Sequence, residues 1–292
     1  MIARCDRVRS FKTNLAVALK DLALRATLVE LWRYRELIMN LTVRDLKVRY
    51  KNSVLGIGWS LLNPLLMMLV FTLVYTVMLG QSNRPDYSAF ILSGLLPWNF
   101  FSASIMGGTS AIVGNSHLIK KVYFPREVLP LSILLSNLVN FLIAIPVYIV
   151  LAALLGTHLT LWVVWLPVVM IVQMIFALGV SLLLTAVNVF YRDVQQIMEV
   201  IILAWFFLTP VIWDVNMLPI SKTVLGIDLP IQRLTYILNP MASIIAAYRD
   251  ILYYGRPIGA DFFLRTAVTA VIALLIGFAV FHRLSGRFAE EM

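Results

Sequence analysis

Four cations within one short stretch, Arg44, Lys47, Arg49 and Lys51, are the side chains of this sequence best suited to recognising an anion. On a helix Arg44, Lys47 and Lys51 share a face, and such a row binds phosphate oxygens through charge-assisted hydrogen bonds. Two compatible uses follow. The row anchors the chain as a solvated positive face, or it meets the phosphate of an anionic lipid substrate arriving from the cytoplasmic side. Asp45, four residues before Arg49, is spaced for a helical ion pair. Catalytic signatures are missing: there is no G-x-x-x-x-G-K-[ST], H-E-x-x-H, G-x-S-x-G or cysteine cluster. His117, His158 and His282 are scattered over loops and an end, so no metal site is expected, and the single Cys5 makes no internal disulfide. Asp214, Asp228, Asp250 and Asp261 are too widely spaced to suggest a membrane-bound glycan transferase.

The elements that position these groups are membrane helices. Hydrophobic residues make up 61% of the 292, charged residues 13%, and mean hydropathy is +0.88, far from a soluble domain with roughly a quarter charged. The formal charge of +9 reflects orientation rather than nucleic acid, because 12 of the 24 Lys and Arg precede the first span. Leu15, Leu19, Leu22, Ala26, Val29 and Trp32 recur at steps of three and four, predicting an amphipathic helix on the membrane or a partner. A broken apolar part and the lack of a cleavage site argue against a signal peptide. Residues 1–52 read as cytoplasmic basic interface helices.

Charge then vanishes from Asn52 to Asn83, long enough for a span. Six spans are expected, at about 54–79, 89–113, 128–155, 161–188, 194–213 and 262–281, within a membrane domain of residues 53–282. Pro97 should kink the second, and Glu199 is the one acid expected inside a span. It suggests a proton relay, or a partner for Arg192 near a cytoplasmic turn. Residues 214–261 hold apolar pieces too short to cross, which read as outer re-entrant helices; 283–292 form a cytoplasmic tail. With the N-terminus inside, 18 of the 24 Lys and Arg lie on inner segments, so both termini are expected in the cytoplasm. The fold class is an all-α integral membrane protein.

Two further stretches invite a role. Residues 115–127 predict a short helix stopped by Pro125, with Asn115 or Ser116 as its cap, serving as a turn or as a knob for a partner's groove. The aromatics, 12% of the chain, include Phe71, Tyr75, Trp98, Phe100, Phe101, Trp205, Phe206, Phe207, Trp213 and Tyr236. They suit interface belts and packing, or a passage along which sugar faces slide.

Five ordered segments carry a resemblance: RDLKVRYKNSVLGIGWSLLNP (44–64), SGLLPWNFF (93–101), LIKKVYFPREVLPLS (118–132), NVFYRDV (188–194) and NPMASIIAAYRDIL (239–252). Together they make the chain resemble the permease subunit of type-2 ABC exporters, in the branch that exports lipid-linked polysaccharides such as O-antigen, capsule or teichoic acid. The first 40 residues lie outside the likeness. The resemblance implies a homodimer in the bacterial plasma (inner) membrane and two copies of a separate ATP-binding subunit, which would carry the ATP and Mg; no cofactor is expected on this chain. It implies that Leu118, Ile119, Lys120, Lys121, Val122, Tyr123 and Phe124 couple to that ATPase, and that the basic helix gates substrate. On this basis Arg44, Lys47, Arg49 and Lys51 are expected to meet a lipid-linked pyrophosphate, and Trp98, Phe100 and Phe101 to line the sugar path. Competing expectations are an exporter of the same build carrying teichoic acid, a drug, a peptide or a lipid, and a secondary transporter, for which inverted repeats or several buried ionisable groups are missing.

Overall fold

The computed structural model describes residues 29–56, 58–78, 80, 86–157, 160–224, 227–288 and 290–291. Most of the expected N-terminal amphipathic helix, the loop around Arg84 and His158 lie outside the described residues. The fold is helical: α1 (Arg35–Tyr50), α2 (Gly58–Thr72, continued by a π turn, Leu73–Met78), α3 (Tyr87–Thr109), α4 (Ala111–Gly114), α5 (Ser116–Lys121), α6 (Val128–Leu154), α7 (Leu166–Phe190, after a 3-10 turn, Leu161–Trp165), α8 (Val194–Leu208), α9 (Ile231–Leu238), α10 (Pro240–Leu252) and α11 (Ala260–Ser285). The one departure among the described residues is a three-residue antiparallel hairpin, Lys222–Val224 with Ile227–Leu229, in which Thr223 faces Asp228 in register.

Among the described residues, five helices are long and apolar enough to cross a bilayer: Gly58–Met78, Tyr87–Thr109, Val128–Leu154, Leu161–Phe190 and Ala260–Ser285. The sixth expected span, 194–213, is shorter than the sequence suggests. Helix α8 has 15 residues and ends at Leu208, about 22 Å of rise against a hydrocarbon core of roughly 30 Å. Pro210 forces this stop by driving Thr209 into extended backbone (φ −97°, ψ 136°). Asn239 then locks the break: its amide donates to Thr209 Oγ1 (2.8 Å), while its carbonyl oxygen accepts from Trp205 Nε1 (2.9 Å) and from the Met241 and Ala242 amides, capping α10 ahead of Pro240.

Two apolar cores hold the helices. The larger is an aromatic cluster joining α3, α6, α7, α8 and α10 through Phe90, Trp98, Phe101, Phe141, Phe176 and Tyr248. The smaller gathers Ile38, Leu41, Ile112, Phe124, Phe281 and Phe288 beneath α1 and the 115–127 loop. A buried polar relay crosses the first: Tyr248 OH donates to Gln173 Oε1 (2.8 Å) and Gln173 Nε2 to the Pro97 carbonyl (2.7 Å). Helix α3 is continuous through Pro97. The α7–α11 contact is closest at two glycines: a Cβ on Gly277 would fall on the Gly179 carbonyl oxygen, and one on Gly179 on the backbone of Ala273 and Leu274. Small residues permit this approach where apolar helices in lipid gain by close packing.

Candidate functional site

Helix α1 buries Ile38, Leu41 and Thr42 and packs against α6, where the Thr42 hydroxyl donates to Ile38 O (2.8 Å) and points to Ser132 O (3.4 Å). Beside this contact the helix presents its cations. Arg44, Lys47 and Lys51 line a shallow cleft of about 860 Å3 against Val139, Asn140 and Ile143 of α6. No carboxylate lines this cleft among the described residues. Arg44 is pinned by Asp45 (2.8 Å) and donates to Asn115 Oδ1 (3.0 Å), tying α1 to the α4–α5 junction. The expected Asp45–Arg49 pair gives way to this arrangement: Asp45 holds its neighbour, and Arg49 turns elsewhere. Asn115, instead of capping α5 through its side chain, uses its amide on Ala111 O (2.9 Å).

Arg49 opens a second cleft of about 570 Å3 between α1, α2, α3 and α6. Its Nη1 donates to Asn137 Oδ1 (2.8 Å), and Tyr50 OH donates to Asn140 Oδ1 (2.8 Å). Asn63 and Ser60 of α2 and Asn99 and Ser102 of α3 add amides and hydroxyls. The floor is apolar, with Phe100 stacked on Phe141 at 5.4 Å. Asn137 is only 3% exposed, and its Nδ2 has no hydrogen-bond partner among the described residues. Tyr50 and Asn140 line both clefts, so their hydrogen bond lies where the basic and the amide-lined compartments meet. The first compartment suits phosphate; the second, with one guanidinium among amides and hydroxyls, suits a hydroxyl-rich group.

Of these residues the sequence expectations included the four cations and Phe100, and missed the asparagines. A signal was present. Asn137 and Asn140 are three apart, hence on one helix face, inside a run without Asp, Glu, Lys or Arg from Val128 to Tyr191. Polar side chains in such a setting either join helices or face a cavity.

Trp98, Phe100 and Phe101 all belong to the aromatic core, Phe100 at 3% exposed, but Trp98 and Phe101 line neither cleft. Trp98 is 4% exposed and meets Phe206 at 5.6 Å; Phe101 is fully buried, stacked on Phe176 at 5.5 Å and edge-on to Trp205 at 5.2 Å. A polymer reaches those two rings only after the cluster opens, whereas Phe100, equally buried, has its edge on the floor of the cleft.

The 118–124 segment divides by face. Leu118, Ile119 and Phe124 pack on the smaller core, while Lys120, Lys121, Val122 and Tyr123 are exposed, Tyr123 at 89%. Behind it lies a cavity of about 550 Å3 shared with Glu30, Glu127, His282 and Ser285. Burial pushes the Glu127 carboxyl above the usual carboxylate range, against the pull of its own backbone amide and of His282. Arg126 lies over the buried Phe288 ring at 5.6 Å, clasping the C-terminal segment to this loop. Glu199 is on the exposed side of α8.

The family model described as ABC-2 type transporter matches residues 36–253. A Myxococcus xanthus protein named O-antigen export system permease protein RfbA is 38% identical over 263 residues, covering 90% of this chain and 98% of the relative. A Klebsiella pneumoniae protein of the same name is 33% identical over 258 residues (87% and 94%). The Escherichia coli polysialic acid transport protein KpsM is 21% identical over 258 residues (83% and 91%).

Proposed function

Because the chain belongs to the ABC-2 type transporter family, we propose that it is the permease subunit of an ATP-driven exporter that carries a lipid-linked, O-antigen-like polysaccharide outward across the bacterial inner membrane. The observation that carries the cargo assignment is the pair of adjoining clefts. One cargo with a pyrophosphate head and a glycan chain has the two chemistries they offer, phosphate for Arg44, Lys47 and Lys51 and hydroxyls for the asparagines. The names of the relatives at 38% and 33% identity support the same cargo class.

In this reading both termini are cytoplasmic and α1 lies along the inner surface. The head group is held in the basic cleft, and the first sugar residues pass the Tyr50–Asn140 bond onto Arg49, Asn137 and the Phe100 ring. Trp98 and Phe101 come into play once the aromatic cluster parts. ATP and Mg act on two copies of a separate subunit, whose motion arrives through residues 118–124; the exposed Val122 and Tyr123 supply the contact. A second copy of the chain completes the path. Helix α2, which buries almost none of its length within its own chain, supports that pairing. ATP hydrolysis belongs to the partner, since this chain has no P-loop.

The test is export in cells lacking their own copy of the gene. Wild type restores surface polysaccharide, and the double variant Lys47→Ala, Lys51→Ala is expected to restore roughly tenfold less at equal protein level, the loss of one to two charge-assisted hydrogen bonds. Export and ATPase stimulation at wild-type levels would remove the head-group role.

A further inference from the structure

A further polar cavity lies at the other end of α3 from α1, where α8 breaks. Arg249 of α10 is buried there, 5% exposed, and its head group answers carbonyls freed by the break: Nη1 donates to Pro210 O (2.6 Å), Nη2 to Val211 O, and the guanidinium lies over the Phe90 ring at 3.7 Å. Gly94 makes room, since a Cβ there would meet Val211 O and the guanidinium. Its Nε–H is left without a hydrogen-bond partner among the described residues. The Arg249 side chain lines a cavity of about 280 Å3.

The rest of the lining tells what the cavity takes. Asp214 and Asp250 face Arg249 and Arg256, two carboxylates against two guanidiniums. Asp250 is paired with Arg256 (2.7 Å), and Tyr254 OH donates to Asp214 Oδ2 (3.3 Å). With formal charge balanced, a simple anion meets both carboxylates and a simple cation both guanidiniums, so a neutral polar guest is favoured over either. Tyr236 and Phe262, edge to face at 5.1 Å, add ring surface for C–H groups. The volume is below the roughly 300–1,000 Å3 of drug-sized pockets, which fits one six-membered ring with its hydroxyls.

We infer that this cavity binds a single neutral sugar residue, whose hydroxyls donate to the Asp214 and Asp250 carboxylates. The source of the sugar, the emerging end of the exported glycan, rests on the function proposed above; the site itself rests on the cavity.

The test is saturation-transfer NMR on the full chain in lipid nanodiscs, free of glucoside and maltoside detergents. The probes are the methyl glycosides of mannose, galactose, rhamnose and N-acetylglucosamine, with acetate and tetramethylammonium as charged controls. At least one glycoside should receive saturation at its ring protons, the charged probes none, and the signal should fall fivefold or more in Asp250→Asn and in Tyr236→Ala, each checked for unchanged melting temperature. Asp214→Asn replaces either variant that fails to fold. The site is overturned if no glycoside responds, if the variants respond like wild type, or if a charged probe binds in preference. Export is measured in parallel. Export without glycoside binding removes this site and leaves the exporter reading standing; glycoside binding without export keeps the site and removes that reading.

Discussion

Replacing Asn137 by Leu should leave the protein as stable as before, or more so, while impairing export. In the fold the Asn137 amide makes one described side-chain bond, accepting from Arg49 Nη1 at 2.8 Å, and its buried Nδ2 is unanswered. Losing a hydrogen bond from a charged donor costs about 1–2 kcal/mol, at the low end here because Arg49 is exposed and regains water. Removing an unsatisfied buried amide group returns about 1–3 kcal/mol. The difference is a net gain of roughly 0–2 kcal/mol, with leucine filling similar volume in an apolar wall. Export should nevertheless drop about tenfold, because the cleft loses a hydrogen-bonding amide and the anchor that aims Arg49. Opposite signs for stability and activity mark a side chain kept for function. Thermal unfolding in nanodiscs and the surface-polysaccharide assay read the two quantities on one variant. A destabilised Asn137→Leu protein that exports normally would refute the reasoning and make Asn137 a packing residue.

Three other outcomes follow from the geometry. Gly277→Ala should cost about 3 kcal/mol or prevent assembly, since the new methyl falls on the Gly179 backbone, which cannot rotate away; a melting temperature within a degree of wild type would contradict the close α7–α11 contact. Tyr123→Ala, at a side chain 89% exposed, should change stability by no more than about 0.5 kcal/mol yet reduce stimulation of the ATPase severalfold, and unchanged stimulation would remove the 118–124 segment as the contact. Glu127→Gln should stabilise at neutral pH. Burial raises the carboxyl in the fold above its usual value near 4.5, so the folded state holds the proton longer and wild type loses stability as pH rises through the folded value. The advantage of the variant should vanish below about pH 4.5, and a pH-independent difference would show that charge is not the cause.

The cationic face of α1 was legible because helical spacing alone puts Arg44, Lys47 and Lys51 in one row. Arg49 was not, because its partner stands 88 residues away and the competing local rule, pairing with Asp45, loses to Arg44. The early end of α8 was written in Pro210, whose effect on Thr209 outweighs an apolar run continuing to Trp213. Which aromatic rings bury one another was beyond reach: Trp98 and Phe101 differ from Phe100 by their partners on α7 and α8, not by composition. The cavity beside Arg249 was hidden for a similar reason. Arg249 sits in an ordinary amphipathic stretch, and its buried state depends on carbonyls 36 to 39 residues earlier.

The central claim, that this chain is the membrane half of an ATP-driven exporter, is tested most directly by isolating it from its own membranes under mild extraction and weighing what accompanies it. A P-loop protein at a one-to-one ratio, with ATP hydrolysis that the lipid-linked glycan accelerates and Tyr123→Ala suppresses, is the expected result. A chain that emerges alone and moves cargo in proteoliposomes without a nucleotide-binding partner would contradict it.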